Sequence, residues 1–320
     1  MNELAGKPKV TVCVSTYNQE AYIATSLQSV VDQKADFPIE VIVSDDCSTD
    51  GTRTVVREFL DRYPGKISAM FSEANLGASY NFRKAHRAAR GDYVAHLDGD
   101  DYMLPGKLAR QVQVLDSAPE CPAVFHQLMM VDHAGRDIPQ LWPACAPERI
   151  DVAYLLQQHP IFGPSSMMYR SGLLKEFLVD RHTVDLMLYT HLALRGPLAF
   201  LNEKLGVYRL GVGISRVTYE WIGKLMDAFD FAEAQGIPTE ITNRGRANQF
   251  FQAAHNALCL TEYGRFRELI EASVKFSAFS PLQMAFYRLR RHPKALMAMH
   301  RTYTAARKYS ILPDVRRRFR

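Results

Sequence analysis

The sequence predicts an α/β fold, a mostly parallel sheet flanked by helices with a Rossmann-like first half, followed by a helical appendage. Three observations predict it. Short β-rich runs begin near Val10, Glu40, Ile67 and Tyr93, with amphipathic helical patterns between them, the alternation of a parallel sheet with crossover helices. Three of these runs end in polar clusters: Ser15 to Asn18, Ser44 to Ser48, and Asp98 to Asp101. After Ser215 the strand signals stop and helical spacing takes over. The expected division is residues 1–217 and residues 218–320.

In chain order, Val10 to Val14 is the first predicted strand. Asn18 is placed to cap the next helix, with Glu20 in its first turn and Ile23, Leu27, Val30 and Val31 at helical spacing. Glu40 to Val43 is the second strand, and Ser48 or Thr49 would cap a helix carrying Val55, Val56, Phe59 and Leu60. Ile67 to Phe71 is the third strand, followed by a loop at Asn75 to Gly77. A helix from Ser79 to Ala89 is stopped by Gly91, and Tyr93 to Leu97 is the fourth strand.

Pro105 to Leu115 reads as a helix entered through proline, and Ala123 to Val131 as a strand. Asp132 to Glu148 has no clear period and is expected to be a loop. Asp151 to Gln158 and Asp185 to Ala193 read as helices. Ser165 to Arg170, Ala199 to Leu201 and Leu205 to Arg209 read as short strands. In the appendage Trp221, Leu225, Phe229 and Ala232 share one helical face. Phe250, Ala254, Leu258 and Tyr263 share another, and Phe266 to Phe276 forms a third helix.

Composition narrows the class. The 320 residues are 47% hydrophobic and 23% charged, as in ordinary globular proteins. No run reaches the about 18 uninterrupted apolar residues of a spanning helix. Met1 to Lys9 lacks an apolar core, so no signal peptide is expected and a cytoplasmic location follows. The five cysteines are scattered without a C-x-x-C pair, which argues against zinc or a disulfide framework. The net charge is +5, yet Arg288 to Arg320 holds eleven Lys/Arg against one acid. Such a tail suits either a solvated face or an anionic membrane surface.

The chemistry concentrates at Asp98, Asp100 and Asp101. Crowded carboxylates repel unless they are solvated or surround something strongly positive. A divalent cation, Mn²⁺ or Mg²⁺, carrying phosphate oxygens meets that need; a plain polar turn is the competing reading. Ligands of such sheets bind beyond the carboxyl ends of the strands, so the three polar clusters should converge on one crevice. No G-x-G-x-x-G, P-loop or G-x-S-x-G occurs, which disfavours a nicotinamide dehydrogenase, a P-loop enzyme and a serine hydrolase.

The motifs together resemble the family 2 glycosyltransferases with the GT-A fold. Val10 to Asn18 is similar to that family's opening strand and loop, Val43 to Gly51 to its second signature, and Asn75 to Gly77 with Asn81 to its third. Asp98 to Asp101 resembles its D-x-D motif. Asp185 to Leu188, then Gly196 and Val207 to Arg209, resembles its acceptor-side segment. The likeness runs from Lys9 to Ser215 and leaves residues 218–320 uncovered.

The resemblance implies inverting transfer from a nucleoside diphosphate sugar, most often a UDP-sugar, to a hydroxyl of a glycan or lipid-linked acceptor, as in surface polysaccharide synthesis. It implies that Thr16 and Tyr17 line the nucleoside pocket with Ser15 behind them, and that Asp46, with Asp45 beside it, holds the base. Asn75, Gly77 and Asn81 would complete the nucleotide-sugar site. Asp98 would face the ribose or sugar and share the metal, Asp100 would be the main metal ligand, and Asp101 would support the donor. Asp185 would be the general base; a helix cap or first-turn acid is its bland alternative. Arg209 is open between a structural ion pair and a diphosphate contact. Relatives often carry His two residues after the Tyr-Arg pair, where this chain has Gly211. His182 reads as a surface or capping residue.

Two other functions fit parts of the pattern: a sugar-phosphate nucleotidyltransferase, and a non-catalytic nucleotide-sugar-binding protein of the same fold. The first would want a glycine- and basic-rich loop where Ser15 to Asn18 stands. The second would fit a chain lacking the carboxylates that are present here. No nucleic acid partner is expected. The appendage and its tail are candidates for peripheral contact with the cytoplasmic membrane or for homo-oligomer contacts.

Overall fold

The computed structural model describes residues 7–158, 162–174, 177, 185–212 and 220–299. The chain divides into two compact units, Met1–Thr218 and Tyr219–Arg320.

In the first unit β1 (Val10–Thr16), β2 (Ile39–Asp45), β3 (Ile67–Phe71) and β4 (Tyr93–Asp98) run parallel. The helices α1 (Ile23–Val31), α2 (Thr52–Arg62) and α3 (Ala78–Ala88) connect them. Val10, Val12, Cys13 and Val14 are wholly buried, the near-continuous apolar run of a strand covered on both faces. Ile23, Leu27 and Val30 of α1 pack into the same core. Register places Ser15 beside both Ser44 and Asp98, and Thr16 beside Asp45. The polar clusters after β1, β2 and β4 therefore emerge side by side at the carboxyl edge.

The chain continues through β5 (Tyr102–Met103), α4 (Lys107–Ser117), β6 (Ala123–Val131), β7 (Asp137–Trp142), β8 (Arg149–Ile150) and α5 (Val152–Gln158). A 3-10 turn (Pro164–Ser166), β9 (Met168–Arg170), α6 (Asp185–Ala193) and β10 (Leu198–Arg209) follow. The sheet order is β3-β2-β1-β4-β9-β6-β10-β5, with β7 on β6 and β8 on β10. The antiparallel β9 joins the first half to the parallel pair β6 and β10.

Several local expectations change. Asp132 to Glu148 is not a structureless loop, because Asp137–Trp142 pairs antiparallel with β6. Pro139 and weak alternation hid it; a strand bonded on one side tolerates proline. Ala199 to Leu201 and Leu205 to Arg209 are one strand, whose polar middle is absorbed by register shifts at Leu201/Lys204 and Lys204/Gly206. Ser165 and Ser166 lie in the 3-10 turn rather than in β9.

The caps differ too. Asn18 has φ 51°, and its Oδ1 accepts the Thr49 N–H at 2.8 Å instead of capping α1. Neither Ser48 nor Thr49 caps α2; Asp50 Oδ1 accepts the Thr52 N–H at 3.0 Å. The backbone is already extended at Ala89, so Gly91 does not stop α3. Gly91 serves a close approach instead, since a Cβ there would lie 2.6 Å from the Thr11 nitrogen.

The second unit contains α7 (Glu220–Ala234), α8 (Thr239–Cys259), α9 (Tyr263–Phe276) and α10 (Pro281–Arg288). Ala254, Ala257, Leu258, Phe266, Ile270 and Phe286 form its core. Thr261 at φ 63° breaks the chain between α8 and α9, so Tyr263 opens α9 rather than extending α8. Ser280 caps α10 through the Gln283 N–H at 3.1 Å, with Pro281 in the first turn. Buried Arg246 pairs with Asp230 at 2.5 Å and Glu233 at 2.6 Å. Among the described residues no helix is long and apolar enough to cross a membrane. The basic tail beyond residue 299 and His182 lie outside the described residues.

Candidate active site

The loops after β1 and β2 lie side by side at the carboxyl edge of the sheet. Asn18 is stitched to the second signature twice: its N–H donates to Ser48 Oγ at 2.9 Å while its side chain accepts from Thr49. Tyr17 is left 44% exposed, free to present its ring. Ser15 lies behind it, half-buried, its Oγ without a hydrogen-bond partner among the described residues. Thr16 Oγ1 donates to Gln19 Oε1 at 2.8 Å.

The next carboxylates hold loops in shape. Asp45 is wholly buried, and its Oδ1 accepts from Arg53 Nε at 2.5 Å and from Ser48 N–H at 3.1 Å. Asp46 accepts the N–H groups of Leu76 and Gly77 at 2.9 and 2.7 Å, one on each oxygen. Gly77 has φ 90° and ψ 158°, a region essentially reserved for glycine. Asn75 Oδ1 accepts the same Gly77 N–H at 3.2 Å. Buried Asn81 accepts from Ser44 Oγ at 2.6 Å and donates to the carbonyls of Ser44 at 2.8 Å and Thr16 at 3.3 Å. Asp45, Asp46 and Asn81 thus reach a ligand chiefly through the loops they fix.

The loop after β4 needs glycine between its acids. A Cβ on Gly99 would meet Thr16 Oγ1 at 2.9 Å as well as Gln19 Oε1 at 2.4 Å, and the Gly99 N–H donates to the Ser15 carbonyl at 2.8 Å. Arg209 closes the loop from β10. Its N–H donates to Asp101 Oδ1 at 2.9 Å, its Nε to the Asp100 carbonyl at 3.1 Å, and its Nη1 to the Asp132 carbonyl at 3.1 Å. The guanidinium sits 4.5 Å over the Tyr22 ring. These contacts clamp the loop largely through its backbone, and the Arg209 charge acts on Asp100.

Electrostatics follow from this crowding. Burial, then the neighbouring Asp98 charge, pushes the Asp100 carboxyl up to about 7. Burial, then Asp100 and Asp98, holds Asp101 well above the usual carboxylate range. Among the described residues Asp101 Oδ2 has no hydrogen bond of normal geometry. Beneath the loop lies wholly buried Lys107, whose Nζ donates to the Ser165 carbonyl at 2.6 Å. Burial pushes its amine down to about 7, while Asp101 pulls it up.

Asp185 opens α6, far from Asp98 in sequence yet within its electrostatic reach. Burial, then Asp98, raises the Asp185 carboxyl to about 6, and His96 opposes the shift. Tyr189, one turn further along α6, responds to both Asp185 and Asp98. Asp185 is the first-turn acid of α6 and is at the same time coupled to the acids after β4.

The donor set fits a hard cation. Carboxylate oxygens suit Mg²⁺ or Mn²⁺, and the raised acids describe a loop short of positive charge. No group of three or more His, Cys, Asp or Glu among the described residues is arranged to hold a metal alone. Two carboxylates completed by substrate phosphates form a different kind of site, common for Mg²⁺. Gly211, where relatives often carry His, is exposed with φ 80°, a conformation that penalises a side chain.

Sequence reasoning missed Gln19, His86, His96, Lys107, Ser165 and Tyr169. His96 alone had a signal, alternating with Asp98 on a strand that points at the crevice; the others are assembled only by packing.

This fold and this site define a GT-A glycosyltransferase. The chain belongs to glycosyl transferase family 2, whose model matches residues 11–178. An uncharacterized protein of Mycobacterium tuberculosis (strain H37Rv) is 34% identical over 195 residues, covering 61% of this chain and 56% of its own length. The chain therefore spans little more than half of that relative. The putative teichuronic acid biosynthesis glycosyltransferase TuaG of Bacillus subtilis is 31% identical over 207 residues, covering 64% of this chain and 80% of TuaG. The crystal structure of Staphylococcus aureus TarS residues 1–349 with UDP-GlcNAc shares the fold, with a TM-score of 0.64 at 21% identity over 90% of this chain and 87% of that one. The mannosyltransferase PcManGT of Pyrobaculum calidifontis, solved with GDP-Man and Mn²⁺, gives 0.58 at 21% identity over 96% and 86%.

Proposed function

We propose that this glycosyltransferase moves a sugar, with inversion, from a nucleoside diphosphate sugar to an acceptor hydroxyl on a glycan or lipid-linked glycan, in the building of a surface polysaccharide. The observation that carries the reading is the electrostatic coupling of Asp185 to Asp98, which supports a base acting near the acids after β4. A UDP-sugar is the favoured donor, supported by the UDP-GlcNAc of TarS; the GDP-Man of PcManGT keeps guanosine donors in the test. The teichuronic acid biosynthesis for which TuaG is named supports the polysaccharide setting.

In the proposed reaction the acceptor oxygen attacks the anomeric carbon from the face opposite the leaving group. The new carbon–oxygen bond forms as the bond to the diphosphate breaks, and the hydroxyl proton passes to Asp185. Such general-base help is worth roughly 10²–10⁴-fold. With a carboxyl raised only to about 6, Asp185 is mostly ionised at neutral pH. Asp100 and Asp98 would hold Mn²⁺ or Mg²⁺, which neutralises the departing diphosphate when bound. Tyr17, Thr16 and the loops fixed by Asp45, Asp46 and Asn81 would seat the nucleoside, with Ser15, Asn75 and Gly77 lining it. Asp101 and Arg209 hold the carboxylate loop in place.

The test is nucleoside diphosphate release from a panel of UDP-, GDP- and dTDP-sugars with Mn²⁺ or Mg²⁺. Turnover lost in Asp185→Asn with donor binding kept supports the reading. Pyrophosphate release from nucleoside triphosphate and sugar phosphate would replace it with a nucleotidyltransferase. The second unit is proposed to make peripheral contact with the cytoplasmic membrane through the tail, or contacts between copies of the chain. Salt-independent vesicle co-sedimentation, unchanged on tail truncation, would exclude the membrane role.

A further inference from the structure

A line of buried polar groups runs through the core to Asp98. The Tyr169 hydroxyl lies 2.8 Å from His86 Nδ1, His86 Nε2 lies 3.0 Å from His96 Nδ1, and His96 Nε2 lies 3.1 Å from Asp98 Oδ1. Tyr169, His86 and His96 are all at most 2% exposed, whereas the Asp98 side chain is 35% exposed. The line links β9, α3 and β4, and only its last member opens into the crevice.

Its polarity follows from the chemistry of the groups. A carboxylate only accepts, so His96 Nε2 must carry the hydrogen it shares with Asp98. In a neutral imidazole the other nitrogen then accepts, so His86 Nε2 donates to His96 Nδ1. By the same rule His86 Nδ1 accepts, and Tyr169 donates. With both rings neutral, one assignment satisfies every contact. Packing fixes the rings that carry it: Phe82 stacks on His86 at 3.7 Å and 19°, and Tyr169 lies parallel to His86 at 9°.

We propose that Tyr169, His86 and His96 are positioning residues that orient the Asp98 carboxylate for the donor and its cation. The relay occupies Oδ1 of Asp98 from the core side and turns Oδ2 toward the crevice. A ligating carboxylate is ordinarily held in this manner by an outer partner, whose loss costs about 10- to 100-fold in affinity or activity. The inference rests on the glycosyltransferase reading of Asp98; the relay itself does not.

Two measurements test it. Long-range ¹H–¹⁵N spectra of the histidine-labelled chain should show His86 and His96 both protonated at Nε2 and bare at Nδ1. Either ring protonated at Nδ1 overturns the relay, whatever the chain catalyses. Calorimetric titration with UDP and Mn²⁺ then reads the role. His96→Leu should weaken binding about 10- to 100-fold. His96→Gln, whose amide can donate to Asp98, should recover most of it, and Tyr169→Phe should lose less than His96→Leu. Where His96→Leu does not fold, Tyr169→Phe carries the test, and its wild-type binding overturns the role. So does His96→Leu binding as the wild type does, or His96→Gln with a wild-type melt binding no better than His96→Leu. A wild-type chain that binds neither UDP nor GDP with Mn²⁺ overturns the donor-site reading, and the role falls with it, while the spectra still judge the relay.

Discussion

The Arg209 N–H donates to Asp101 Oδ1 at 2.9 Å, tying the end of β10 to the carboxylate loop after β4. The bond spans more than a hundred residues of sequence and joins β10 to the loop that follows β4. Asp101 is almost wholly buried, burial raises its carboxyl, and its Oδ1 accepts the Arg209 N–H. Asp101→Asn keeps the acceptor and should leave the urea midpoint near wild type. Asp101→Ala strands a buried N–H and should cost about 1–3 kcal/mol.

Asp185 gives a pH prediction. Its carboxyl is raised to about 6 by burial and by Asp98. A base works only when deprotonated, so kcat/KM should rise with pH through an apparent value near 6 and then level off. Neutralisation of Asp98 by a bound cation would move that limb downward. Asp185→Asn should lower kcat by roughly 10²–10⁴-fold, abolish the acidic limb and leave donor binding intact.

Lys107 predicts a stability slope. Burial lowers its amine to about 7 in the folded chain, against about 10.4 when unfolded. Between these values the unfolded chain binds more protons, so stability contributed at this site rises with pH from about 7 toward about 10. Below about 7 both states are charged and the full penalty of burying the ammonium applies. Lys107→Met should flatten this slope in urea midpoints measured from neutral to alkaline pH.

Gly77 links backbone strain to the loop proposed to seat the nucleoside. Its φ of 90° and ψ of 158° exclude side chains on conformational grounds, although a Cβ there would meet nothing within 4 Å. Gly77→Ala should therefore cost about 1–3 kcal/mol in stability. Because Asp46 grips the Gly77 and Leu76 N–H groups, the same change should weaken UDP binding. Melting curves and UDP titration read the two effects separately.

The sequence by itself determined the four parallel strands, the positions of their polar ends and the acids that gather there. Period, turn chemistry and apolar runs are local properties, and Val10 to Val14 or Asp98 to Asp101 carry them within a few residues. Edge strand β7 escaped because proline and a single bonding neighbour erase the alternation by which strands are read. Only the tertiary structure decided which acids face the crevice and which are taken up by the protein. Asp45 and Asp46 look alike in the chain, yet one is neutralised by Arg53 and the other holds two backbone N–H groups. The approach of Asp185 to Asp98, the clamp of Arg209 and the line from Tyr169 to Asp98 were likewise set by packing. Each joins groups from different elements, and burial converts contacts that would be weak in water into strong constraints, a dependence on surroundings that local sequence does not encode.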